Sequence, residues 1–199
     1  MKRALLLVDV QNDFLPGGAL AVAGGDEILA PINRVLPEYD LVVATQDWHP
    51  ADHGSFAANH PGRAVFETID LNELPQVLWP VHCVQNTGGA LFAPGLDTRR
   101  IDRVFVKGTD PAVDSYSGFF DNGRRKDTGL AAWLREQGVT TLDVCGLATD
   151  YCVKFTVLDA LAEGFQVSLL LEACRGVELR KGDCALALEA MLAAGATTT

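Results

Sequence analysis

Cys152 stands where an apolar run, TTLDVCGL, gives way to a helical pattern, CVKFTVLDALAEG, in the stretch GLATDYCV (146–153). Amides left unpaired at a helix N-terminus stabilise an anion. A thiol placed there is expected to ionise below its free value of about 8.5 and to serve as a nucleophile. The same amides could receive the oxyanion of a tetrahedral intermediate. The competing reading is a small buried hydrophobe, which most free cysteines are. Cys145 falls inside the apolar run, Cys174 and Cys184 lie in or near apolar packing patterns, and Cys83 follows a histidine in a loop.

Two charges close apolar runs. Asp9 ends LLLVDV and Lys107 ends DRVFVK. A carboxylate after a wholly apolar run must be paired or used, because burying it alone is costly. At a strand end in a partly dry cleft it could exchange protons with a thiol. Lys107 beside it would be neutralised and could stabilise thiolate or oxyanion charge; otherwise it is a snorkelling lysine on a sheet rim. A third group is Asp47 and His49 in TQDWHPADHGSF. Two apart on an extended chain, they point the same way. His82 in WPVHC could join them, with His53 as a fourth candidate. Two histidines and a carboxylate suit Zn²⁺, Fe²⁺ or Mn²⁺; loop hydrogen bonding would need the same residues.

The elements that must position these groups follow from the pattern. Apolar, β-branched runs at 4–8, 41–44, 104–106, 142–144 and 167–171 suit parallel strands buried on both faces. Helical patterns at 26–36, 128–137, 152–163 and 181–194 alternate with them, three ending at a glycine, and Thr128 is the expected N-cap of the second. A short edge strand is expected at 196–199. The alternation predicts one three-layer α/β/α domain over residues 1–199, built on a doubly wound parallel sheet of about six strands. Two long segments, 46–102 and 108–127, break the alternation and hold all four histidines and many aromatic residues. Loops of that length are functional or disordered, and the aromatic content argues for order.

Composition removes other classes. Hydrophobic residues make up 48%, too many for a disordered chain. A net charge of −10 without a basic cluster disfavours nucleic acid. No apolar run reaches the roughly 20 residues of a membrane span. Five cysteines, an odd number with no C-x-x-C pair, fit free thiols in a reducing cytoplasm. No G-x-G-x-x-G, Walker A or G-x-S-x-G motif occurs, so nucleotide-dependent and serine-elbow chemistries lack their signature.

The stretches LLLVDVQNDFLPGGALAV, VVATQDWHPADHGSFA, LWPVHCVQNTGGA, VFVKGTDP, DSYSGFFDN and DVCGLATDYCV together resemble the nicotinamidases of the isochorismatase-like cysteine hydrolase family, over essentially the whole chain. The resemblance implies a catalytic triad of Asp9, Lys107 and Cys152 and metal ligands Asp47, His49 and His82. It places Phe14, Trp79, Tyr116, Leu147 and Tyr151 at the ring pocket, and His53 near a position that ligates in some members only. It implies a cis peptide between Leu147 and Ala148, an oxyanion hole from the Ala148 and Cys152 amides, and a main-sheet order 3-2-1-4-5-6. The implied cofactor is one divalent ion, with zinc the first expectation and iron or manganese the alternatives. The implied partner is a small-molecule substrate, nicotinamide and its isostere pyrazinamide, rather than nucleic acid or membrane; assembly as a homo-oligomer is left open. The triad together with the ligand set favours amide hydrolysis over vinyl-ether cleavage. Carbamoyl or ureido amidohydrolysis, and a noncatalytic redox or metal-binding domain, are the alternatives.

Overall fold

The computed structural model describes residues 2–199. Its strands are β1 (Lys2–Val8), β2 (Val42–Asp47), β3 (Thr68–Leu71), β4 (Leu74–Val77), β5 (Arg103–Lys107), β6 (Val139–Leu147), β7 (Gln166–Arg175) and β8 (Thr197–Thr198). Its α-helices are α1 (Leu29–Val35), α2 (Leu130–Glu136), α3 (Lys154–Ala162) and α4 (Asp183–Ala193). Six strands form one parallel sheet in the order β5-β2-β1-β6-β7-β8, which is 3-2-1-4-5-6 when those strands alone are counted. Ala4 to Val8 are fully buried, as a central parallel strand covered on both faces requires. From the β1–β6 pair the strand order runs outward in opposite directions, and the right-handed rule for parallel crossovers then assigns the connecting helices of the two halves to opposite faces. Ligands in such sheets bind at the carboxyl ends where the order reverses.

Register brings the chemistry to that place. Val8 pairs with Gly146, and Asp47 pairs with Lys107. Asp9, one residue beyond β1, adopts φ 49°, a left-handed conformation that turns the chain sharply off the sheet.

The helices begin and end differently from their sequence patterns. The expected 26–36 helix opens as a 3-10 turn (Gly25–Ile28), continues as α1 and closes in a second 3-10 turn (Leu36–Glu38). Gly129 rather than Thr128 occupies the cap of α2, although Thr128 Oγ1 still accepts the Leu130 N–H at 3.2 Å. The expected helix at 152–163 starts earlier, as a π-helical turn (Thr149–Val153) ahead of α3, so Cys152 lies inside a widened turn. β8 is a two-residue edge strand. Within the long segments lies a hairpin, β3–β4, absent from the sequence reading. Asn72 and Glu73 both take positive φ at its tip, as a tight right-twisted hairpin demands.

Candidate active site

A single stretch after β1, DVQNDF, organises the whole cleft. Gln11 grips the backbone of Asp47 from both sides: its Nε2 donates to Asp47 O and its Oε1 accepts the Asp47 N–H, each at 2.8 Å. Asp13 Oδ2 accepts the Cys83 N–H at 2.7 Å and so fixes the loop carrying His82. Phe14 then turns into the pocket, its ring centroid 5.6 Å from that of His82. The sequence marked Asp9 and Phe14; Gln11 and Asp13 were missed, because their partners are distant in the chain.

Lys107 is the hub. Its Nζ lies 2.9 Å from Asp9 Oδ2, donates to Ser115 O at 2.9 Å and to Asp47 Oδ1, and stands 3.4 Å from Cys152 Sγ. Asp9 Oδ1 accepts a 2.6 Å hydrogen bond from Thr45 Oγ1. Ligand-type atoms of Asp9, Asp47 and Cys152 all lie within 4.8 Å of one another. The three strand-end groups expected to meet therefore do meet, and all are buried.

The electrostatics modify one expectation. Burial pushes the Cys152 thiol well up; Lys107 opposes this, but the Asp9 and Asp47 carboxylates add to it. These surroundings favour the thiol at Cys152 over the thiolate expected from a helix N-terminus. Burial also raises Asp9 above the usual carboxylate range against the pull of Lys107. A raised acid beside a raised thiol is a pair suited to passing one proton between them. Lys107 stays cationic: burial disfavours its charge, and Asp47 and Asp9 more than restore it.

Asp47, His49 and His82 converge beside this group with ligand atoms within 4.8 Å of one another. Asp47 Oδ2 is 3.7 Å from His49 Nε2 and 3.8 Å from His82 Nε2. These separations are too long for hydrogen bonds and near the roughly 3.4 Å expected of two donors on a shared ion at about 2.1 Å. His49 Nδ1 is bonded to Gly108 O and His82 Nδ1 to Pro80 O, both at 2.8 Å. Carbonyl partners put the proton on Nδ1 and leave the Nε2 lone pairs for a metal. Burial and the neighbouring His49 bring His82 down to about 4, so it is neutral at neutral pH. Burial works against His49 as a cation, but the adjacent Asp47 carboxylate raises it overall. The donor set thus fits a divalent ion. His53 sits outside this trio: Ser55 N–H donates to its Nδ1 at 3.1 Å, and among the described residues its buried Nε2 has no hydrogen-bond partner.

A narrow pocket opens over Cys152, walled by Phe14, Leu20, Trp79, Tyr116, Tyr151 and Val177, with Ala148, Asp114 and the metal trio also at its surface. Trp79 and Tyr151 pack edge to face at 4.8 Å, and Trp79 Nε1 donates to Tyr116 Oη at 3.2 Å. Leu147 is not among the lining residues; fully buried, it packs toward Gly25. Leu20, Asp114 and Val177 are pocket residues that the sequence did not mark. The Leu147–Ala148 peptide is cis. The Tyr151 and Val153 amides both donate to Ala148 O at 3.1 Å, whereas among the described residues the Ala148 amide has no backbone acceptor.

A six-strand α/β/α sheet with a buried carboxylate, ammonium and thiol at its switch point defines a cysteine hydrolase of isochorismatase type, and residues 3–199 match the isochorismatase domain model. The chain is 54% identical to nicotinamidase of Escherichia coli, over 98% of this chain and 93% of that one. It superposes on a nicotinamidase/pyrazinamidase of Acinetobacter baumanii with a TM-score of 0.96 at 45% identity, covering 99% of this chain and 95% of that one. A pyrazinamidase of Pyrococcus horikoshii, solved in complex with zinc, matches at a TM-score of 0.79 and 38% identity over 100% and 99% of the two chains. The chain belongs to the isochorismatase family and, within it, to the nicotinamidases.

Proposed function

We propose that this chain hydrolyses nicotinamide to nicotinate and ammonia, with Cys152 as nucleophile, Asp9 as the proton carrier and Lys107 as the fixed cation. The observation that carries the reading is the contact of Lys107 Nζ with both Asp9 (2.9 Å) and Cys152 Sγ (3.4 Å) at the base of a small aromatic pocket. The activity is the one borne in the names of the relatives in Escherichia coli and Acinetobacter.

The ring packs between Phe14, Trp79 and Tyr151, which bury its apolar faces. Asp9 takes the thiol proton as sulfur bonds to the carboxamide carbon and the carbonyl electron pair moves to oxygen. The Ala148 and Cys152 amides receive that oxyanion, a contribution commonly worth about 3 kcal/mol. When the carbonyl re-forms, the C–N bond breaks, and Asp9 gives its proton to the departing ammonia. Asp9 next deprotonates a water that attacks the thioester carbon. The C–S bond breaks, nicotinate leaves, and the proton returns through Asp9 to sulfur. One carboxyl group serves both half-reactions. Lys107 stabilises Asp9 as an anion and the sulfur as it gains charge.

Asp47, His49 and His82 would hold a divalent ion, zinc before iron or manganese on this donor set; when bound, it supplies a Lewis acid that orients the substrate's ring nitrogen. The Pyrococcus relative's complex with zinc supports that choice. Pyrazinamide carries a nitrogen in the same place and is expected to be cleaved too.

The test is ammonia release by the purified chain from nicotinamide, measured beside isochorismate, carbamoyl and ureido compounds, with metal content determined on the same sample. Preferential release from nicotinamide is expected. Preference for a ureido or carbamoyl compound would move the chain to another branch of the family.

A further inference from the structure

We propose that Asp150 is a positioning residue for substrate selectivity: from inside the turn that carries Cys152 it fixes Val177 as the wall that decides which ring substituents the pocket accepts. The inference rests on the amidase reading above and extends it to the choice of ring.

Val177 lines the pocket together with Phe14, Trp79 and Tyr151, yet it lies beyond the end of β7, where no sheet partner holds it. What holds it is Asp150. The buried Asp150 carboxylate accepts the Val177 N–H on Oδ1 at 2.9 Å and the Glu178 N–H on Oδ2 at 2.7 Å. Both oxygens are used, each by a backbone amide, and such charge-assisted bonds are stronger than neutral ones. The chain reaches this carboxylate through Gly176. A Cβ there would stand 2.1 Å from Cys184 Sγ and 2.8 Å from Asp150 Oδ1, so any larger residue would displace those side chains. Beyond, Glu178 takes φ 55° and its Oε1 accepts the Gly182 N–H at 2.8 Å, while Asp183 Oδ2 accepts the Arg180 N–H at 2.9 Å. The segment is closed on itself, and its one described hydrogen-bond link at Val177 is to the nucleophile's turn.

Asp150 is two residues from Cys152. The wall and the sulfur are therefore set by a single rigid piece, and the distance between them is fixed. A pocket with a fixed wall rejects a ring carrying one extra methyl by about 10–200-fold, the range for a methylene in an apolar site. A wall free to swing would not.

The experiment compares wild type, V177A, D150N and the D150N/V177A double variant on nicotinamide and a set of ring-methylated nicotinamides. The readout is the ratio of kcat/KM for methylated to unmethylated substrate. D150N keeps one carbonyl acceptor but turns an NH₂ group against the other amide. V177A is expected to raise the ratio about 10-fold for at least one methyl position. D150N is expected to raise it at the same position, and the double variant no further than V177A alone, since the two act through one wall. An unmoved ratio in V177A, a D150N that lowers kcat for all substrates equally, or fully additive effects would each overturn the proposal. If D150N does not fold, D150E, which keeps the charge but displaces the carboxylate, serves for the same comparison. Wild-type ammonia release from nicotinamide separates the two readings. No release refutes the amidase assignment, whereas release with unmoved ratios refutes only the role of Asp150 and Val177.

Discussion

As the proposed base, Asp9 would act only when ionised, so the acid limb of kcat/KM should report its deprotonation. Its environment raises it above the usual carboxylate range, chiefly through burial. Activity is therefore lost as pH falls through a value above that range. The thiol, also raised by burial, stays protonated on the alkaline side. Thr45 donates to the charged form of Asp9. Thr45→Val should move the acid limb up by about one pH unit, the usual effect of removing one such bond; a pH–rate profile measures it, and an unshifted limb would show that Asp9 is not the titrating base. Asp9→Asn should abolish both half-reactions, and a rapid burst of acyl-enzyme in that variant would exclude Asp9 as the first base. At this scale much was legible: Asp9 and Lys107 stood out because a charge ending an apolar run needs a reason. The resting state of Cys152 was not legible, because burial depends on the whole fold. Nor were Gln11, Asp13 and Asp150 as anchors, since each acts on backbone 27 to 70 residues away in the chain.

The strands could be read as elements because buried parallel strands are continuous apolar runs. The β3–β4 hairpin could not: Pro75 lies within it, its alternation is weak, and its turn uses Asn72–Glu73 rather than a glycine. The π-helical turn at Thr149–Val153 left no periodic trace, since five residues are too few to show one. Junctions between elements carry the sharpest constraint. At Gly146, φ is 126° and a Cβ would stand 2.0 Å from Val8 O. Gly146→Ala must push β6 from β1 at the last paired residues, Val8 and Gly146, just before Asp9 and the Leu147–Ala148 peptide. A loss of about 3 kcal/mol or more is expected, read as a lower urea midpoint at unchanged slope, together with a fall in kcat. A variant of native stability would mean that the two strand ends are not in fixed contact.

Across the molecule, Asp47 joins two centres: one oxygen faces the histidines and the other receives Lys107. A metal ion held by this proposed trio would thereby be coupled to the charge balance of Asp9, Lys107 and Cys152. Zinc added to metal-free protein should raise Tm, since a ligand at about 100-fold its Kd contributes roughly 2.7 kcal/mol. His82→Ala should remove that response, and a wild-type Tm insensitive to zinc would refute the ligand set. Chelation should raise KM more than it lowers kcat if the ion chiefly orients the ring. Under the proposed mechanism Cys152 carries the acyl group. Acid quenching during nicotinamide turnover, followed by intact-mass and peptide analysis, tests it most directly. A nicotinoyl thioester is expected on the Cys152 peptide in wild type, and neither adduct nor ammonia in a folded Cys152→Ala variant. Ammonia release by that variant, or an adduct mapped to another residue, would contradict the mechanism.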